Sequence, residues 1–197
     1  TTLGTTNVLR NLTLSGTGTT TLGNALNITA GASSGSVTVG TGTTLTTGGF
    51  LTLKSDASGT ARIAQSAGTI SGNVTQERFV PGKAIRKWSF LASPVTQSLA
   101  SAWQQQIHIT GPGTGGTMCN NYTISGTMTP HSNGFDVTQL QNPSFYTYDA
   151  ATDNFVANTS GTNSFTLSPD NGYMVLVRGD RNDATNGGCV LLSANNQ

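Results

Sequence analysis

The chain has 197 residues, 9% of them charged, and its nine basic and eight acidic residues leave a formal net charge of +1. A globular protein carries roughly 25% charged residues, so threonine, serine, glycine and asparagine must supply the polarity here. So balanced a charge excludes electrostatic capture of nucleic acid or of an anionic membrane, and no apolar run is long enough to span a bilayer.

High threonine and glycine content disfavours helices. Ordinary disorder needs low hydrophobicity together with high charge, and this chain is 35% hydrophobic. The expected class is therefore all-β. The opening Thr1-Thr2-Leu3-Gly4 carries no secretory signal pattern and reads as the middle of a repeat. The expectation is that a preceding segment has been removed.

In the first seventy residues, apolar and polar residues alternate in short bursts. Leu12 and Leu14 flank Thr13, Leu26 and Ile28 flank Asn27, Val37 and Val39 flank Thr38, and Leu51 and Leu53 flank Thr52. Period-two alternation broken by glycine predicts strands. The bursts also repeat. Leu12 and Val37, Leu26 and Leu51, and Leu45 and Ile70 are each 25 residues apart, and Gly16-Thr17-Gly18-Thr19-Thr20 returns as Gly40-Thr41-Gly42-Thr43-Thr44. A fixed period of this size predicts stacked units. The expected architecture is an N-terminal β-solenoid, with parallel β-helix-like coils of about 25 residues over residues 1–75. Leu, Val and Ile would face inward and Thr outward. The alternative is an antiparallel meander or sandwich, which has no need of such a period.

Composition shifts between Gly68 and Pro81. Five of the nine basic residues, Arg62, Arg78, Lys83, Arg86 and Lys87, fall between positions 62 and 87, and Phe50 is the only aromatic residue before Phe79. Arg78, Lys83, Arg86 and Lys87 form too small a cluster for a nucleic-acid site and read as a solvated junction. Residues 76–197 are expected to form a second, β-sandwich-like domain. Its predicted strands are 87–91, 122–128, 144–149, 154–158, 164–167, 173–178 and 190–192. Leu99, Trp103 and Ile107 recur at helical spacing, predicting a helical segment over 98–107 that packs Trp103 on the sheet.

Thr69-Ile70-Ser71-Gly72-Asn73-Val74-Thr75-Gln76-Glu77-Arg78-Phe79 is followed by Lys87-Trp88-Ser89-Phe90-Leu91-Ala92-Ser93-Pro94-Val95. Tyr146-Thr147-Tyr148-Asp149 and Gly172-Tyr173-Met174-Val175 come later. This set resembles a junction in large secreted, adhesin-like repeat proteins of the Bacteroidota, where a Thr/Gly-rich β-repeat region runs into a β-sandwich-like module. The resemblance covers most of the chain from about residue 10. It implies an extracellular, cell-surface location and export by the type IX secretion system. Proteins of that kind usually end in a sorting domain. None follows Ala194-Asn195-Asn196-Gln197, which implies a fragment or a trimmed form.

Four groups of residues are candidates for chemistry. Cys119 and Cys189, in a chain of this composition, suggest an oxidising exterior and a disulfide. Closing so long a loop contributes roughly 4 kcal/mol in the chain-entropy model, and two buried free thiols are the alternative. Asp180, Asn182 and Asp183 sit in the one oxygen-rich loop and are calcium-ligand candidates. The loop lacks the spacing of a calcium-binding loop and a distal Glu, and Asn186-Gly187 equally suits a plain hairpin tip. Calcium is the one cofactor considered. Trp88, Trp103, Phe145, Tyr146, Tyr148 and Tyr173 are available for packing or for stacking on sugars. Tyr146 and Tyr148 share one face of their strand, Phe145 and Thr147 the other, and core packing is the leading expectation. His108 and His131 lie in no catalytic motif, and the two Cys and two His have no zinc spacing.

The expected function is a non-catalytic, extracellular structural or adhesive segment: a surface stalk or a self-assembling fibre subunit. The expected partners are another copy, head to tail, or neighbouring domains of the same protein. The alternative is a carbohydrate-binding module of a larger secreted enzyme, with a surface glycan as its ligand. A hydrolase fragment, needing two close carboxylates, is a third reading without a pairing signal.

Overall fold

The computed structural model describes residues 6–31, 35–81, 87–118, 128–177 and 181. The chain is all-β and divides into two compact units, Thr1–Pro81 and Gly82–Gln197. The division falls at the far end of the window in which composition shifts, because pairing in the first unit continues past residue 75.

The first unit contains β1 (Thr6–Leu9), β2 (Asn11–Leu14), β3 (Gly18–Thr21), β4 (Ala25–Ile28), β5 (Ser36–Val39), β6 (Thr43–Thr46), β7 (Leu51–Leu53), β8 (Ser55–Asp56), β9 (Gly59–Thr60), β10 (Arg62–Ile63), β11 (Thr69–Ser71) and β12 (Val74–Gln76). Three parallel sheets collect all of these except β8 and β9. The first has order β1-β4-β7-β12, the second β2-β5-β10 and the third β3-β6-β11. From β2 onward the chain visits the second, third and first sheets in turn, and then repeats the circuit. From β2 to β7, and between β6 and β11, pairing is in the register of the sequence repeat: Leu12 opposes Val37, Leu26 opposes Leu51, and Leu45 opposes Ile70, whereas β1 meets β4 at a shorter offset, Asn7 opposing Leu26.

Period-two alternation decides which side chains go inward. Leu26, Ile28, Val37, Val39, Leu45, Leu51 and Leu53 are buried, while their sequence neighbours Asn27, Thr38, Thr44 and Thr52 are not. Leu12, Leu14, Ile70 and Val74, on strands next to the open ends of the sheets, pack against this core but are only partly buried. Each fully buried aliphatic side chain contributes about 1.5–3 kcal/mol, which a single circuit with exposed neighbours cannot collect.

Two threonines overturn the expectation that threonine faces only outward. Thr43 and Thr47 are buried. The Thr43 hydroxyl donates to the Gly16 carbonyl at 2.9 Å, and the Thr47 hydroxyl donates to the Ser71 and Asn73 carbonyls at 3.2 and 2.7 Å. The Gly16 and Asn73 carbonyls lie between strands, outside the ladders, and need a donor, and an inward hydroxyl provides one without adding charge. The antiparallel hairpin β8–β9 interrupts the repeat. After it the offsets become 26 residues between β5 and β10 and 23 between β7 and β12.

The second unit contains β13 (Lys87–Ala92), β14 (Gln97–Ser98), a 3-10 turn (Trp103–Gln105), β15 (Phe145–Asp149), β16 (Asn154–Ala157), β17 (Thr166–Leu167) and β18 (Gly172–Val177). An antiparallel sheet runs β13-β18-β15-β16, and β14 pairs with β17 in a second, two-stranded sheet. The strands expected at 87–91, 144–149, 154–158 and 173–178 are found within a residue or two. That at 164–167 shrinks to two residues. The span 122–127 and the strand at 190–192 lie outside the described residues, and Met128 is not in a strand.

The helical segment expected over 98–107 is a single 3-10 turn. Ala102 supplies no capping side chain, and so short a helix has little stability of its own. Its packing role stands: Trp103 meets Tyr173 edge-on at 5.7 Å and Phe145 at 6.3 Å. Leu99, Ile109, Phe135, Phe145, Leu167, Tyr173 and Val175 form the core around these rings. Among the described residues no helix is long and apolar enough to cross a membrane.

Candidate functional site

Alternation along the four-stranded sheet sends Phe145, Tyr173 and Val175 into the core and leaves a second set of large side chains, most of them aromatic, on the opposite face. Trp88 and Phe90 come from β13, Tyr146 and Tyr148 from β15, Phe155 from β16, and Met174 and Leu176 from β18. Register places Trp88 opposite Leu176, Phe90 opposite Met174, and Tyr148 opposite Phe155. Trp88 is 45% exposed, Tyr148 48% and Phe90 71%. Core packing is thus the fate of Trp103, Phe145 and Tyr173, and not of Trp88 or Tyr148; Tyr146 is half-buried.

These outer rings contact one another. Trp88 and Tyr146 meet edge-on at 5.3 Å, Tyr148 and Phe155 at 5.4 Å, and Phe90 and Phe155 at 5.7 Å. Phe90 and Phe155 stand on the two edge strands, three spacings or about 14 Å apart along the sheet, so both side chains reach toward the middle of the face. Ala92 and Gly172 lie opposite each other in the ladder and are small. No heavy atom lies within 4 Å of where a Cβ on Gly172 would stand. The result is an exposed aromatic surface with an open patch over Gly172.

Polar groups rim one end of it. The Tyr148 hydroxyl donates to Asp153 Oδ1 at 2.5 Å, which raises the phenol's pKa above its ordinary value, with desolvation and the Asp149 charge adding to the effect. Asp149 accepts from the Thr152 hydroxyl at 2.8 Å and the Ala151 N–H at 3.0 Å, which hold its carboxyl below the ordinary carboxylate range. These bonds fix the turn between β15 and β16, where Asp153 takes a φ of 51°.

A second polar cluster lies in the core of the same unit. Asp136 is completely buried. Its Oδ2 accepts the Ile109 N–H at 3.0 Å, and its Oδ1 accepts from the Arg181 guanidinium at 3.0 Å. Arg181 is tethered in turn by its backbone N–H, which donates to the Gln106 carbonyl at 2.7 Å. His108 is also buried, with Nδ1 3.5 Å from Asp136 Oδ2, beyond the ~3.2 Å reach of an N–H···O bond. The carboxylate is thus engaged by a backbone amide and a guanidinium, the arrangement of an anchor. His131 is buried with Nδ1 2.6 Å from the Gly115 carbonyl. Sequence reasoning passed over this cluster. Its one signal was an acidic residue between Phe135 and Val137.

Of the residues singled out from sequence, Tyr146 and Tyr148 lie together on the aromatic face. Cys119 and Cys189, and the calcium candidates Asp180, Asn182 and Asp183, lie outside the described residues. Among the described residues no group of three or more His, Cys, Asp or Glu side chains is placed to hold a metal ion. Comparison of the chain with protein-family models, with curated proteins and with solved structures gives no match.

Proposed function

We propose that this chain is a non-catalytic structural and adhesive segment that works at the cell surface or outside the cell. In this reading the first unit is a β-solenoid stalk and the second a β-sandwich-like module. The observation that carries it is the cyclic return of the chain to three parallel sheets with a 25-residue register. That pattern builds a core lengthwise, one circuit upon the next. The resemblance to secreted Bacteroidota repeat proteins supports an extracellular setting and type IX export. Among the described residues β1, β2 and β3 are edge strands of their sheets, and an edge strand is a place where another copy or a neighbouring domain can add. A head-to-tail contact that does not close gives a filament.

Electron microscopy of the purified chain tests this. Rod-shaped particles, lengthening with concentration into fibres, are expected. Compact, monodisperse particles at high concentration would count against the fibre version, and a compact first unit would count against the stalk.

The exposed rings favour a second reading, a carbohydrate-binding module. Trp88, Tyr146, Tyr148 and Phe155 present π-faces and edges beside a polar rim, the combination that holds a sugar ring. Retention on polysaccharide that disappears in Trp88→Ala and Tyr148→Ala would support it, and a glycan array without binding would remove it.

A further inference from the structure

The third sheet carries an ordered array of hydroxyls. Thr19 on β3 opposes Thr44 on β6, and Thr44 opposes Thr69 on β11. Two positions along, Thr21 opposes Thr46 and Thr46 opposes Ser71. Thr44, Thr46, Thr69 and Ser71 alternate with the inward Leu45 and Ile70, and Thr19 and Thr21 flank Thr20, the partner of Leu45, so all six point outward. Thr19, Thr21, Thr69 and Ser71 are exposed, and Thr44 and Thr46, flanked on both sides, are half-buried. Neighbouring hydroxyls in a column are therefore about 4.8 Å apart, and the columns about 6.6 Å apart.

Two further observations set this face apart. None of the six hydroxyls makes a side-chain hydrogen bond among the described residues, whereas Thr43 and Thr47 on the inner side of the same region donate to backbone carbonyls. No charged or aromatic residue lies in β3, β6 or β11. The outer columns of the other two sheets are mixed. Asn27 lies between Val8 and Thr52 in a column that runs on to Thr75, and Ser36 lies between Asn11 and Arg62.

Chemistry narrows what such a face can hold. A small molecule needs concavity, and an open sheet face offers none. A mineral or a polyanion calls for charge, and the aromatic platforms on which sugar rings stack are absent from these three strands. What remains is a neutral partner that is itself periodic and bonds through hydrogen bonds in two directions. Ice meets both demands: its surface is an uncharged oxygen lattice whose repeats lie near these two spacings, and the threonine methyls hold the intervening water in place. We infer that the outer face of the third sheet binds the surface of ice crystals. This deepens the adhesive reading, on which it rests, by naming what the chain adheres to.

Ice-affinity partitioning of the full chain tests the inference, with inhibition of ice recrystallisation as a second readout. Enrichment in slowly grown ice is expected for the native chain. It should be lost in Thr44→Lys/Thr46→Lys and in Thr19→Lys/Thr21→Lys, and retained in Thr13→Lys/Thr38→Lys on the second sheet. Circular dichroism establishes that each variant is folded. Exclusion of the native chain from ice would overturn the inference. So would equal enrichment of a folded array variant, or binding to crystalline cellulose or chitin in place of ice. The particle shape read by microscopy does not depend on these substitutions, so the two readings fail separately.

Discussion

Leu26 and Leu51 are direct partners in a parallel ladder, 25 residues apart in sequence, and both are buried. Neither has a core without the other, because a lone circuit leaves its aliphatic residues in water. β7, which carries Leu51, lies between β4 and β12 in its sheet. Leu51→Ala should therefore destabilise the first unit by about 2–5 kcal/mol, the range for an aliphatic deletion in a packed core. Urea denaturation followed by far-UV circular dichroism measures this. A cost below about 1 kcal/mol would mean that the ladder is not a packed core.

Glycine at position 68 is required by close approach. A Cβ there would stand 2.3 Å from the Gly40 carbonyl oxygen and 2.6 Å from that of Thr43. Both are backbone atoms that cannot swing aside. Gly68→Ala is expected to shift the ladder and lower the melting temperature. Gly23→Ala, where nothing lies within 4 Å, should be neutral or stabilising by up to about 1 kcal/mol through the unfolded chain. Calorimetry of the two variants makes the comparison.

Arg181 compensates a carboxylate that has no access to water. Removing one partner of a buried pair strands the other charge, at a cost of about 3–5 kcal/mol. Arg181→Met should destabilise the second unit by that order, read from the fluorescence of Trp88 and Trp103 during denaturation. The double variant Asp136→Asn/Arg181→Met should be less damaged than the single one, because the amide still accepts from Ile109 and no charge is stranded. Equal damage would show that Arg181 acts through packing alone.

The Tyr148–Asp153 bond makes an alkaline prediction. A phenol whose folded pKa is raised favours the protonated form, so its contribution is complete below the unfolded pKa and disappears as pH rises through the folded one. Ultraviolet titration should find one tyrosine ionising above the ordinary phenol range, and Asp153→Asn should bring it down. Asp149 behaves oppositely. Its depressed pKa contributes stability above the unfolded carboxylate value, which is lost as pH falls through the folded one. Acid titration of the Asp149 carboxyl by NMR, before and after Thr152→Ala, follows that change.

Strand positions and register in the first unit were legible because alternation and a fixed period are local properties of the chain. Leu12, Leu26 and Leu45 could be matched to their partners by counting. The buried Thr43 and Thr47 could not, since a threonine in a strand looks the same whether its hydroxyl meets water or a corner carbonyl. In the second unit, alternation separated Phe145 from Tyr146 and Tyr148 but did not say which side was covered. That depends on Leu99, Ile109 and Phe135, which come from turns and loops outside the strands. The pairing of Asp136 with Arg181 spans 45 positions and leaves no trace in spacing.

The Lys54–Glu77 bridge is the only ion pair among the described residues of the first unit, and both side chains are partly in solvent. Added electrolyte therefore has almost nothing to screen there, while salting-out ions strengthen the burial of aliphatic surface. A body cohering in this way keeps its form from fresh water to concentrated brine, including the liquid that is squeezed between crystals as a solution freezes.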